Sequence, residues 1–131
     1  MKQALILFAH GARDPRWAEP FERLRQIAQA ALPGTEVSLA FLELMSPRLP
    51  EAVAGLVQAG CGKVSLVPVF LGQGGHVLRD LPLLVDELRG SHPGLEITVA
   101  PAVGEDAAVL DAIARYCVST MKEASSQGVK Q

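Results

Sequence analysis

The chain is poor in cysteine: Cys61 and Cys117 are its only two in 131 residues, and they form no C-x-x-C pair. That excludes a disulfide scaffold and the usual zinc spacing, and it fits a reducing cytoplasm. Long hydrophobic runs are missing too. The apolar stretch from Ala4 to Ala9 ends at His10-Gly11-Ala12-Arg13-Asp14-Pro15, short for a signal-peptide core and far too short to span a bilayer. No excess of one charge exists either, since 12 Lys plus Arg against 14 Asp plus Glu leave -2. Neither nucleic acid nor an anionic membrane is therefore an expected partner. Nucleotide-binding loops fail as well. Gly72-Gln73-Gly74-Gly75 would need glycine where Val77 stands to read G-x-G-x-x-G, and no Gly-Lys-Ser/Thr follows an apolar run.

What is present is 49% apolar and 20% charged residues, enough to bury the core of one domain. We expect that domain to span residues 1–123, with a polar, unpatterned tail from Ala124 to Gln131 that frays. Short apolar runs predict strands at Gln3 to Ala9, Thr35 to Phe41, Lys63 to Leu71 and Leu95 to Ala100. Stretches of helical spacing lie between and after them. Trp17, Phe21, Leu24, Ala28 and Ala31 form one stripe, as do Leu49, Val53 and Leu56, then Leu78, Leu81, Val85 and Leu88. Leu110, Ile113, Cys117 and Met121 form the fourth. Each stripe is expected to be buried, with Cys117 a small core residue rather than a reactive thiol. The result is an α/β chain with a four-stranded parallel sheet, in the order 2-1-3-4. Pro68 cannot donate to a ladder, so a bulge or lost pairing is expected beside it in an otherwise central strand.

In open parallel sheets, ligands bind at the carboxyl ends of the strands where the order reverses. His10 follows the first strand, and Gly74-Gly75-His76 the third. The two histidines should face one another across the switch point. Glu43 ends the second strand among apolar neighbours at the same rim, where burial would raise its pKa and make it a metal ligand or proton acceptor. Arg13, Arg16, Arg48 and Arg79 come from the same rim and together suit an anionic substrate. Gly74 and Gly75 would let the backbone pass close to a flat ligand, or turn sharply before a helix. His92, in the turn Ser91-His92-Pro93-Gly94, belongs to the opposite end of the sheet.

Two histidines, a carboxylate and an arginine rim point to a divalent metal bound by neutral imidazole. Here the sequence resembles the short, single-domain sirohydrochlorin chelatases, the CbiX-type class II chelatases, over nearly its whole length. The resemblance is carried by Leu7-Phe8-Ala9-His10-Gly11-Ala12-Arg13-Asp14-Pro15, by Ala40-Phe41-Leu42-Glu43 with Pro47-Arg48-Leu49-Pro50-Glu51-Ala52, and by Val67-Pro68-Val69-Phe70-Leu71 followed by Gly75-His76-Val77-Leu78-Arg79-Asp80-Leu81-Pro82. It implies a three-layer, flavodoxin-like βα repeat in which His10 and His76 bind the metal over the macrocycle. It further implies a homodimer, no cofactor beyond the metal being inserted, cobalt as the first choice of ion, and iron or nickel as alternatives. The size of a tetrapyrrole also asks for a second copy to wall the cleft, and the apolar positions around Leu42 to Met45 and Val77 to Leu81 are the expected contact surface. A histidine phosphatase also places His-Gly after its first strand, but Ala9 stands where it needs arginine. A metal carrier would use the same two histidines without catalysis.

Overall fold

The computed structural model describes residues 2–72 and 74–126, apart from the side chains at 76, 78 and 124–126. Four parallel strands, β1 (Lys2–Ala9), β2 (Glu36–Phe41), β3 (Cys61–Pro68) and β4 (Glu96–Val99), pair in the order β2-β1-β3-β4. Register runs from Ala4↔Glu36 to Ala9↔Phe41 on one side of β1 and from Gln3↔Lys63 to Phe8↔Pro68 on the other. The expected order holds, and so β1 and β3 flank the reversal point. Helices α1 (Glu19–Ala31), α2 (Leu49–Gln58), α3 (Gly75–Ser91) and α4 (Ala107–Ser126) follow the strands in turn. α4 continues through Ser126, three residues into the expected tail, and 127–131 lie outside the described residues. Among the described residues no helix is long and apolar enough to cross a membrane.

Alternation along each strand sends successive side chains to opposite faces. Ile6, Phe8, Val64, Leu66 and Ile97 face α2 and α3, and meet Leu49, Val53, Leu56, Val85 and Leu88 in one continuous buried cluster. α1 covers β1 and β2 on the other face, where Val37 and Phe41 are buried and the Phe21 and Phe41 rings stand edge to face.

Two expected stripes are not buried. Trp17 and Leu24 keep 43% and 39% of their surface, because α1 lies over only half of its face. On α4, Leu110, Ile113 and Met121 are exposed and so is Cys117, which makes it no core residue. By contrast Val77 and Leu81, expected on a contact surface, belong to the core cluster. They are the positions by which α3 seats on the sheet.

Pro68 is fully buried and closes β3, and among the described residues the register irregularity of β1 and β3 lies at Lys2/Gln3, far from it. The Val69 N–H reaches Phe8 O at 2.7 Å, so the Pro68 nitrogen faces β4. There the β3–β4 ladder has already ended, with Ala100 N–H on Leu66 O at 2.9 Å. The missing donor thus costs no hydrogen bond, and pairing is lost without a bulge.

Candidate functional site

His10 leaves β1 at the carboxyl rim between the loops that follow β2 and β3. Its Nδ1 stands 3.1 Å from Glu43 Oε1, and the Gly11 N–H donates to Glu43 Oε2 at 2.9 Å. One carboxylate therefore spans the imidazole and the backbone beside it. The loop after β2 is held for this purpose by Leu42 N–H on Ala9 O at 2.8 Å and by Met45 N–H on Glu43 O at 2.9 Å. Leu44 closes the turn at φ 68°, the left-handed region, which costs a β-carbon residue about 1–3 kcal/mol. Gly11 is demanded by the same approach. A side-chain carbon there would lie 1.8 Å from Glu43 O, so only glycine lets the two loops meet.

The His10 ring packs on Phe70 with centroids 4.7 Å apart, and Phe70 in turn lies 5.9 Å from Phe8. Trp17 donates its indole N–H to His10 O at 2.7 Å. The sequence pattern places Trp17 in a buried helical stripe and gives Phe70 no role at the site, because neither long-range pairing has a local signal.

Burial pushes the Glu43 carboxyl up, but the Gly11 N–H, the His10 ring hydrogen bond and the His10 charge together hold it below its ordinary value. This corrects the expected rise. The reason is geometric: both oxygens already accept hydrogen bonds that favour the charged form. An ionised Glu43 takes the Nδ1 proton as its partner, leaving the Nε2 lone pair of His10, a side chain 45% exposed, open to the rim.

The remaining candidates divide. Gly74 caps α3 and Gly75 opens it, with His76 as its second helical residue, not on a free loop. The His76 side chain lies outside the described residues, and so does its expected approach to His10. Neither Gly74 nor Gly75 has a left-handed φ, and a side-chain carbon on either would meet nothing within 4 Å. The sharp-turn reading of these glycines therefore falls away. Arg13, Arg48 and Arg79 are exposed, Arg48 at the start of α2 and Arg79 one turn into α3 with Nε 4.0 Å from Asp80. Arg16 is turned aside. Its guanidinium grips Asp14 at 2.6 Å, and that hydrogen bond holds the Asp14 carboxyl below its usual range. His92 ends α3 at the far end of the sheet, as expected. Among the described residues, no three His, Cys, Asp or Glu side chains form a metal cluster.

A family model described as CbiX matches residues 4–120. The chain belongs to the CbiX family. The sirohydrochlorin cobaltochelatase of Methanocaldococcus jannaschii is 31% identical over 90 residues, covering 69% of this chain and 63% of that one. The protein of the same name in Saccharolobus solfataricus is 31% identical over 108 residues, 78% of this chain and 83% of that one. Among solved structures, a cobalamin biosynthesis CbiX protein from Marinobacter aquaeolei aligns with a TM-score of 0.82 at 29% identity, over 92% of this chain and 98% of that one. The cobalt complex of the sirohydrochlorin chelatase from Bacillus subtilis gives 0.78 at 23% identity over 91% of this chain and 51% of that one, which speaks to the fold alone.

In this CbiX chain a cleft of about 600 Å³ lies along β2, lined by Pro15, Glu22, Arg25, Val37, Phe41 and Pro47 and not by His10. The site itself is an open rim. A small apolar hollow of about 100 Å³ beside it, bounded by Leu42, Val77, Leu81 and Leu84, marks where the β2 loop meets α3.

Proposed function

We propose that this chain inserts a divalent metal ion, cobalt first and iron or nickel as alternatives, into sirohydrochlorin. The observation that carries the reading is the Glu43-oriented imidazole of His10 at the topological switch point. It is supported by the CbiX membership and by the name shared by the M. jannaschii and S. solfataricus relatives.

Metallation of a tetrapyrrole requires the ion to shed water, the flat ring to bend and two pyrrole N–H protons to leave. His10 presents Nε2 to the ion, with His76 as the second imidazole. A carboxylate on Nδ1 fixes the tautomer and makes Nε2 a better donor. Held below its ordinary pKa, Glu43 is a weak base, so we assign it to positioning His10, and the two pyrrole protons pass to water at the open rim. Arg13, Arg48 and Arg79 meet the substrate's carboxylates; Arg16, already paired, contributes least. Gly74 and Gly75 leave bare backbone against which a flat ring can lie. Walls that hold the bent ring better than the flat one would lower the barrier.

Residues 1–123 form the catalytic domain, two copies share the cleft, and the enzyme works in the cytoplasm, where Cys61 and Cys117 stay reduced. The test is the rate of metallation of sirohydrochlorin with Co, Fe and Ni in parallel, against the spontaneous rate. His10→Ala and His76→Ala should each lose about 100-fold while keeping the fold. Metal binding without acceleration would make the chain a carrier.

A further inference from the structure

Leu44 stands where leucine is least expected. Among the described residues it is the one non-glycine residue in the left-handed region, at φ 68°, and 59% of its surface is exposed. Glycine enters that region freely, and asparagine enters it more easily than leucine does. Burial does not explain the leucine, because its side chain takes no part in the core cluster. Strain is thus kept for a side chain the fold does not use, which is the pattern of a residue held for a ligand.

Leu71 repeats the arrangement on the other side of His10. It is 66% exposed and follows Phe70, whose ring carries the imidazole, as Leu44 follows Glu43, whose carboxylate holds Nδ1. The order β2-β1-β3 puts the two loops on opposite sides of the one that bears His10. Each loop is also clamped through a carbonyl by a glycine from a neighbouring connection. Gly11 closes on Glu43 O. Gly104 belongs to the 3-10 turn after β4 (Val103–Glu105), where its N–H donates to Phe70 O at 2.9 Å and a side-chain carbon would lie 1.7 Å from Leu71 O. Two exposed leucines are therefore carried on backbone that is already ordered, and an apolar contact made from such backbone loses less entropy on binding.

We infer that Leu44 and Leu71 grip the substrate's ring, one on each side of His10, and so decide which macrocycles the rim accepts. The inference rests on the tetrapyrrole chemistry proposed above. A hydrated metal ion or a small anion has no use for apolar flanks, whereas a tetrapyrrole is apolar across its ring and acidic at its edge. A rim that combines an imidazole, two exposed leucines and the exposed Arg13, Arg48 and Arg79 matches both parts of such a ligand. Apolar contact is non-directional, so it holds the flat and the bent ring alike and acts on binding rather than on the chemical step.

Leu44→Asn removes the grip and relieves the strain in one change. The urea midpoint should hold or rise, while KM for sirohydrochlorin rises about 10-fold and kcat stays within about 2-fold. Leu71→Ser should raise KM by a similar factor with an unchanged midpoint. Leu44→Met keeps the apolar bulk at the same φ and should return KM to within about 3-fold of the unsubstituted chain. Binding of cobalt ion without tetrapyrrole, read by isothermal titration, should be the same in Leu44→Asn, since the His10–Glu43 pair is untouched. Unchanged KM in both polar variants, a midpoint that falls in Leu44→Asn, or a kcat loss at constant KM would each overturn the grip. So would a light-scattering mass that shifts while KM holds, which would assign the leucines to contact with another copy. An unsubstituted chain that does not accelerate metallation of sirohydrochlorin would instead remove the reading of function, and the grip with it.

Discussion

The two faces of the sheet are built to different standards. Beneath α2 and α3, Phe8, Ile6, Leu49, Val53 and Leu66 lose all but a trace of their surface. On the α1 side the helix has no buried residue, and β3 and β4 stand uncovered beside it. The candidate site belongs to the finished face, because the His10 ring rests on Phe70, and Phe70 on Phe8. Placement of one imidazole is thus anchored on the side of the sheet where packing leaves least freedom.

The largest effect should come from breaking the finished face. Phe8→Ala should cost about 3–5 kcal/mol in urea unfolding and release Phe70, and with it the His10 ring. If stability falls by less than about 1 kcal/mol, that face is not the core.

Gly11→Ala should come next, costing about 1–3 kcal/mol by overpacking, with metallation falling further than stability. The added carbon has to push the Glu43 loop away. The ratio of the two losses, measured on one preparation, separates a damaged site from a damaged fold.

Glu43→Gln should weaken metal binding by about 10- to 100-fold in isothermal titration, because the ring loses its orienting charge. The folded pKa of Glu43 lies below its ordinary value. Its contribution to stability is thus fully present above the ordinary carboxylate pKa and is lost as pH falls through the lowered value. Acid unfolding of Glu43→Gln should lack that part of the decline, a small part because the carboxylate is 40% exposed. An unchanged acid profile would mean that the Gly11 and His10 bonds do not select the ionised form.

The smallest change belongs to the open face. Leu24→Ala should cost under about 1 kcal/mol, whereas Leu49→Ala in α2 should cost about 2–5 kcal/mol. Urea unfolding of the two variants beside the unsubstituted chain reads both costs directly. Equal costs for the two substitutions would erase the difference between the faces.

Much of the fold is legible in the amino-acid sequence alone. Continuous apolar runs separated by helical spacing specify a parallel βα repeat by themselves, since period and hydrophobicity are local properties of the chain. The rim position of His10 and Glu43 follows too, since both stand just after the carboxyl ends of parallel strands. The strand order is expected only by analogy with common doubly wound sheets and is decided by the pairing itself. Tertiary structure alone decides which stripes are covered: Leu110, Ile113 and Met121 have the same spacing as Leu49, Val53 and Leu56, and periodicity says that a face is apolar without saying what meets it. It also decides the state of Glu43. A pKa depends on the balance between burial and the donors that reach the carboxylate, and the Gly11 N–H and the His10 ring arrive from the loop after β1, 32 and 33 residues away in sequence. The demand for glycine at position 11 is of the same kind, set by a carbonyl from another loop that no local pattern records.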